Sequence, residues 1–297
     1  MSRTDSTATA PTKADTYTII TERIIALLEQ GTVPWHKPWQ GGSQMPRNLV
    51  SGREYRGVNT FLLHSMCFDS PYWLTFKQAG ELGGTVRKGQ KACPVVFWKW
   101  LDVDDRRNGE QKRVPFLRYY SVFNVAQCDG LEGLVPQPET PLKDHSAITT
   151  AESVVLGMPQ RPEIRLGQGR AFYAPAPDYV GMPDLGTFDT AEDYYSVLFH
   201  ELTHATGHHS RLARKQLNEW ESFGSQSYSK EELIAEMGAA FLCGHTGIVE
   251  RTIDNSAAYI HSWLSRLKSD SKLVVQAAAQ AQRAADFILA KRPVEAE

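Results

Sequence analysis

His200-Glu201-Leu202-Thr203-His204 lies within Tyr194 to His208 (YYSVLFHELTHATGH), a stretch whose apolar residues repeat with a helical period. Tyr195, Leu198, Phe199, Leu202 and Ala205 form one side, and His200, Glu201 and His204 cluster on the other beside Val197. Asp189 or Thr190 caps the start of this helix, and Gly207 marks its end. Residues four apart share a helical face, so both imidazoles reach one ion and Glu201 reaches a water beside it. HExxH in that setting reads as a zinc site and a general base in one turn. The helix is otherwise apolar enough to be buried, where ionisable groups need partners.

Two histidines leave a tetrahedral site one protein ligand short of the open position that water takes. The longer pattern HExxHxxGxxH fails by one residue, because position 210 is Ser210 and the spare histidines are His208 and His209, which read as polar residues at a helix end. Downstream, Ser229 to Leu242 (SKEELIAEMGAAFL) predicts a second helix with Glu232 and Glu236 on one face. Ser229 and Glu232 also fit a capping box. That leaves Glu236, set in an apolar run, in need of a cationic or protonated partner. The arrangement resembles the gluzincins, in which a glutamate of a second helix in an ExxA-like context completes the zinc site. Glu232-Leu233-Ile234-Ala235 matches that context. The resemblance implies Glu232 as the third ligand and Glu236 as the carboxylate orienting His200 or His204 from behind; the reverse assignment uses the same face. Such a site hydrolyses peptide bonds, with Glu201 taking the proton of water and returning it to the leaving amine. Tyr228 and Tyr259 are candidates to stabilise the oxyanion, and nothing in the sequence selects one.

The 297 residues, 41% hydrophobic, suffice for two domains. Residues 1–16 are rich in Ser, Thr, Ala and Pro, lack the apolar core of a signal peptide and are expected to be a disordered tail. No stretch approaches the roughly 20 apolar residues of a membrane span. Cys67, Cys93, Cys128 and Cys243 show neither CxxC spacing nor the density of a disulfide framework. The expectation is a cytoplasmic protein with reduced thiols and no membrane partner.

Residues 129–145 are rich in Pro, Gly and acidic residues and read as a linker between domains at 17–128 and 146–297. Charge divides across it. Residues 17–125 carry 15 Lys/Arg against 9 Asp/Glu, and residues 126–297 carry 15 against 23, so a net charge of −2 hides a basic half and an acidic half. The basic half holds five of the seven tryptophans, Trp35, Trp39, Trp73, Trp98 and Trp100. A helix over Tyr17 to Gln30 leads into the loop VPWHKPW (33–39) and a glycine-punctuated stretch with Arg47, Arg53, Tyr55 and Arg56, followed by strands at Val95–Trp100 and Tyr119–Val125. Trp98 and Trp100 alternate in a strand and suit a structural role. Aromatic side chains interleaved with Arg and Lys in exposed loops suit single-stranded DNA, whose bases stack on rings while phosphates meet cations. The candidate contacts are Trp35, Trp39, Arg47, Arg53, Tyr55, Arg56, Lys77, Arg87, Lys88 and Lys91.

VPWHKPW, PRNLVSGREYRGVN (46–59), YWLTFKQAGELGGTVRKGQKACPVVFW (72–98) and YYSVFNVAQCDGL (119–131) together resemble the N-terminal domain of ArdC-type antirestriction proteins, shared with TraC-type plasmid primases. FHELTHATGHHSRL (199–212), YSKEELIAEMGAAFL (228–242) and AAYIHSWLSRLK (257–268) are similar to the zincin-like peptidase domain of the same proteins. The resemblance covers residues 17 to 290. It implies an α+β chain in which a small mixed α/β domain that binds single-stranded DNA precedes a mainly helical zincin-like domain with a small sheet. It also implies a plasmid- or phage-associated role in helping incoming DNA survive restriction, with DNA-bound host proteins as substrates of the peptidase. The alternative is a non-catalytic protein that shields transferred single strands, with zinc only structural.

Overall fold

The computed structural model describes residues 15–35, 45–104, 111–136, 145–214, 226–248 and 257–291. Trp39 lies outside them, as does the tail before residue 15. The side chains of Trp98, Trp100, Tyr228 and Tyr259 lie outside the described set as well.

The chain opens with α1 (Thr16–Glu29), whose Ile20, Ile24 and Leu28 recur at helical spacing and are fully buried. The stretch expected as an exposed loop contains β1 (Arg47–Asn48), which runs parallel to β2 (Tyr72–Thr75). Helix α2 (Val58–His64) lies between them, and α3 (Phe76–Glu81) follows, started by a capping box between Thr75 and Gln78. A short β3 (Thr85–Val86) precedes the antiparallel pair β4 (Cys93–Asp104) and β5 (Gln111–Asn124); β4 is longer at both ends than its apolar run predicts, and β5 begins eight residues earlier than its run and ends one residue sooner. The main sheet has the order β1-β2-β5-β4. Strand β4 is its edge, and Asn59 closes part of that edge by donating to the Val96 carbonyl (2.8 Å) and accepting from the Val96 amide (2.6 Å).

The segment expected to start a linker is packed. Cys128–Asp129 forms β6 against β3, and Leu131 is 2% exposed in a cluster with Leu74, Ala79 and Val125.

The second half contains α4 (His145–Gly157) and a three-stranded sheet of β7 (Glu163–Arg165), β8 (Phe172–Ala174) and β9 (Tyr179–Gly181) in the order β7-β9-β8. Helices α5 (Ala191–Ala205), α6 (Gln226–Thr246), α7 (Ala257–Ser269) and α8 (Leu273–Ile288) complete it. Thr190 is the residue that caps α5, accepting from the Asp193 amide at 3.1 Å. On α8 the predicted stripe of Leu273, Val274, Ala277, Ala281, Ala284 and Ile288 is buried.

Both halves contribute to one core. Ile24, Phe61, Val95 and Val122 belong to the same buried cluster as Phe199, Leu202, Phe241 and Val274. The rings of Phe61 on α2 and Phe241 on α6 stack with centroids 4.7 Å apart, and burying each contributes roughly 1.5–3 kcal/mol. The helix that follows HExxH in the sequence is thereby fixed from the N-terminal side.

Candidate metal centre

Helix α5 presents His200 and His204 on one face, with Nε2 atoms 3.1 Å apart. Helix α6 brings Glu232 across from them: its Oε2 stands 3.6 Å from His200 Nε2 and its Oε1 3.6 Å from His204 Nε2. These three residues offer ligand atoms within 4.8 Å of one another, the one such group among the described residues. Two ligands about 2.0–2.1 Å from a tetrahedral zinc lie about 3.3 Å apart, a spacing the observed separations bracket. The donor set of two imidazoles and a carboxylate is that of a divalent cation with an open position.

The approach of the two helices depends on a glycine. A Cβ on Gly238 of α6 would stand 2.5 Å from Thr203 Cγ2 and 2.7 Å from Thr203 Oγ1. Thr203 cannot yield easily, because it is buried and its hydroxyl donates to the Phe199 carbonyl at 2.7 Å. The close crossing occurs one residue from His204, so it sets how far Glu232 reaches.

Glu231, adjacent to Glu232, is the carboxylate behind His204. Its Oε1 lies 3.5 Å from His204 Nδ1, so the imidazole sits between neighbouring glutamates, one at each nitrogen. A carboxylate at Nδ1 favours the proton there and leaves the Nε2 lone pair facing the site. Glu231 is in turn held by Arg214, with Nε to Oε2 at 3.1 Å and Nη2 to Oε1 at 2.5 Å, both side chains almost fully buried. Arg214 also donates to Thr206 Oγ1 (2.6 Å) and to the Thr203 carbonyl (2.8 Å). Burial lowers the His204 pKa, but Glu231, Glu232 and Glu201 outweigh it and leave the ring above the ordinary imidazole range. Burial likewise raises the Glu231 carboxyl, and His204 and Arg214 more than reverse this.

The assignment of Glu236 to the back of a histidine is therefore corrected. Its Oε2 accepts the indole N–H of Trp35 at 2.9 Å. Glu231 and Gly238 face α5, whereas Glu236, one turn further along α6 than Glu232, meets the chain that follows α1. Trp35 is corrected with it: the side chain is 2% exposed, edge-on to Trp263, and offers no face to a base. The capping-box reading of Ser229 also falls, since α6 starts at Gln226. Gly207 serves less as a conformational stop than as clearance, because a Cβ there would meet Arg214 Nη2 at 2.9 Å.

Glu201 follows His200 on α5 at a half-buried position, with its charge felt at His204. His208 is turned away, bonded to Ser210 Oγ at 2.8 Å, and His209 is exposed. Arg211, 1% exposed, fastens the small sheet to this end of α5. It pairs with Asp178 and donates to the Ala205 carbonyl at 2.7 Å. Strand β8, at the sheet's edge, packs against α5.

The remaining expected DNA contacts lie on several elements. Arg47 pairs with Glu54 at 3.3 Å, and Tyr55 accepts from Asn48 at 3.4 Å. Arg53 is exposed on the turn between them. Arg56 pairs with Asp286 on α8. Lys77 pairs with Glu81 on α3, Arg87 with Asp129 at 3.1 Å, and Lys88 and Lys91 are exposed beside it.

Residues 154–280 match the family model of a zincin-like metallopeptidase, and residues 14–123 match that of the N-terminal domain of anti-restriction factor ArdC. The crystal structure of the antirestriction ArdC protein from plasmid R388, in its metal-free form, superposes with a TM-score of 0.73 at 40% identity, covering 93% of this chain and 97% of that one. The chain belongs to the ArdC antirestriction family. The R388 ArdC protein has also been solved with Mn(II) bound, and that form matches at a TM-score of 0.71 and 39% identity. Among curated relatives, the uncharacterized protein y4eC of Sinorhizobium fredii is 37% identical over 97% of this chain and 95% of its own. DNA primase TraC of Escherichia coli is 36% identical over 91% of this chain, which spans only 27% of that primase. An ArdC-type fold with a zincin-like second half, in which His200, His204 and Glu232 form a cluster whose geometry suits a divalent metal, accounts for the described structure.

Proposed function

We propose that the protein is a zinc metallopeptidase that binds single-stranded DNA and protects incoming plasmid DNA in a new host by acting on DNA-bound host proteins. The observation that carries this reading is the convergence of His200 and His204 from α5 with Glu232 from α6, beside Glu201 and within a chain whose first half matches the ArdC N-terminal domain. When bound, zinc polarises a scissile carbonyl and lowers the pKa of a coordinated water towards about 7. His200, His204 and Glu232 would hold it. Glu231 keeps His204 in the tautomer that donates Nε2, and Arg214 keeps Glu231 ionised in a buried position. Glu201 accepts the proton of the attacking water at its carboxylate and delivers it to the leaving amine. Strand β8 offers an edge beside α5, unpaired among the described residues, against which an extended peptide can align. Binding substrate and enzyme to one strand raises their effective concentration.

Wild type and Glu201→Gln, both zinc-loaded, are to be compared for cleavage of a DNA-binding protein with and without single-stranded DNA. Cleavage by wild type only, accelerated by DNA, is the expected result. Tight DNA binding by both with cleavage by neither would transfer the function to strand shielding and leave zinc a structural role.

A further inference from the structure

Between the two halves lies a cleft of about 390 Å³ that the metal site does not use and that Arg56 alone of the expected DNA contacts lines. One wall is the β4–β5 hairpin, through Val96 and Leu117, together with Val58 at the start of α2. The other is the outward face of α8, where Gln276, Ala279, Gln280 and Arg283 recur at helical spacing opposite the buried stripe. Arg56, Lys230 and Arg283 line it, and no carboxylate does. Asp286, behind the lining, is already paired with Arg56. Lys230 donates to Gln276 at 2.9 Å, and Arg283 is exposed with no ion pair among the described residues. Tyr119 faces Val96 directly across the ladder, on the same side of the hairpin, and is 41% exposed.

We infer that this cleft seats an unpaired nucleotide of a single DNA strand, with Lys230 and Arg283 at its phosphates. The inference rests on the single-strand-binding reading above and gives that reading a place. The volume falls in the range of small-ligand clefts, roughly 300–1,000 Å³. The aliphatic wall accepts the flat faces of a base, the side-chain amides of α8 meet its polar edges, and the surplus of cations matches the backbone. A duplex cannot present a base in this way without unpairing it. The cleft also adjoins the metal helix, since Lys230 comes immediately before Glu231 and Glu232 on α6. A strand held here lies against the helix that supplies the third ligand.

The test is fluorescence anisotropy of a 5′-fluorescein oligothymidylate with the full chain, using wild type, Ala279→Trp, Arg283→Ala, Lys88→Ala and Lys91→Ala, with thymidine monophosphate and a duplex as competitors. Both Ala279 and Arg283 are exposed on α8, so their substitution leaves the core untouched. Ala279→Trp, which fills the cleft, is expected to weaken binding at least about tenfold, in line with loss of one base contact. Arg283→Ala should weaken it and lower the slope of log affinity against log salt by about 0.7. Free nucleotide and duplex should compete poorly. Wild-type binding unchanged in both α8 variants but lost in Lys88→Ala or Lys91→Ala would overturn the cleft and leave single-strand binding standing. No binding by wild type would overturn both readings. Competition by free nucleotide as strong as by the strand would make the cleft a small-molecule site and overturn the inference.

Discussion

The Trp35 indole donates to the Glu236 carboxylate at 2.9 Å, joining the chain just after α1 to the middle of the helix that bears Glu232. The two residues belong to opposite halves of the sequence, 201 positions apart. Their bond closes one side of the shared core, where Trp35 also meets Trp263 edge to face at 6.1 Å. Trp35→Ala is therefore expected to act on stability. Deleting a buried tryptophan costs about 3–5 kcal/mol, and Trp35→Phe should lose about 1–3 kcal/mol by leaving the carboxylate a donor short. Urea unfolding measures both. A Trp35→Phe protein as stable as wild type but weaker on single-stranded DNA would return Trp35 to a binding role.

Gly238→Ala tests whether helix proximity builds the metal site. Alanine in a helix interior is ordinarily favoured over glycine by about 1 kcal/mol. Here the added methyl would meet Thr203 at 2.5 Å, and overpacking of this kind typically costs 1–3 kcal/mol. The expected outcome is a less stable protein with a larger proportional loss of metal affinity, because α5 and α6 must separate where His204 and Glu232 face each other. Calorimetric titration with Zn²⁺ and Mn²⁺ against thermal unfolding checks this; unchanged metal affinity would show that the crossing distance does not position the ligands.

What the sequence made legible is what periodicity and short motifs encode. The HExxH helix and the buried stripe of α8 follow from residues at i, i+3 and i+4, Thr190 was one of two residues offered as the cap, and Glu232 came from the resemblance of its ExxA-like context to the gluzincins. The role of Glu231 was hidden because helical spacing relates Glu232 to Glu236, whereas an imidazole held between two helices is gripped by neighbouring residues that flank its ring. A signal did exist: two adjacent glutamates on a mostly apolar helix require a cation, and Arg214 stands ten residues after His204. Trp35 was misplaced because a loop rich in Pro and Lys reads as exposed, and only the fold shows that a helix from the far end of the chain covers it.

Glu231 and Arg214 separate metal affinity from stability. Glu231→Gln keeps the shape but removes the charge that orients His204, and loss of such a supporting carboxylate typically lowers metal affinity 10- to 100-fold. Arg214→Ala instead leaves Glu231 buried without its bidentate partner, which costs about 3–5 kcal/mol in comparable pairs. Competition with a chromophoric chelator should show the first effect and denaturant unfolding the second. Equal metal affinity in Glu231→Gln and wild type would make the carboxylate a purely structural partner of Arg214.

The last prediction concerns acid. His64, at the end of α2, is held down to about 3 by burial, against an ordinary value of 6.5 in the unfolded chain. The folded ring stays neutral where the unfolded ring takes a proton. Its contribution to stability is thus complete above pH 6.5 and is lost as pH falls from there towards 3, at up to about 1.4 kcal/mol per pH unit. Between pH 7 and pH 5 this amounts to about 2 kcal/mol. His64→Gln, which cannot titrate, should lose about that much less than wild type over the same interval in urea unfolding at the two pH values. Parallel losses would mean that the ring gains its proton in the folded protein as readily as in the unfolded one, and that the end of α2 admits water to it.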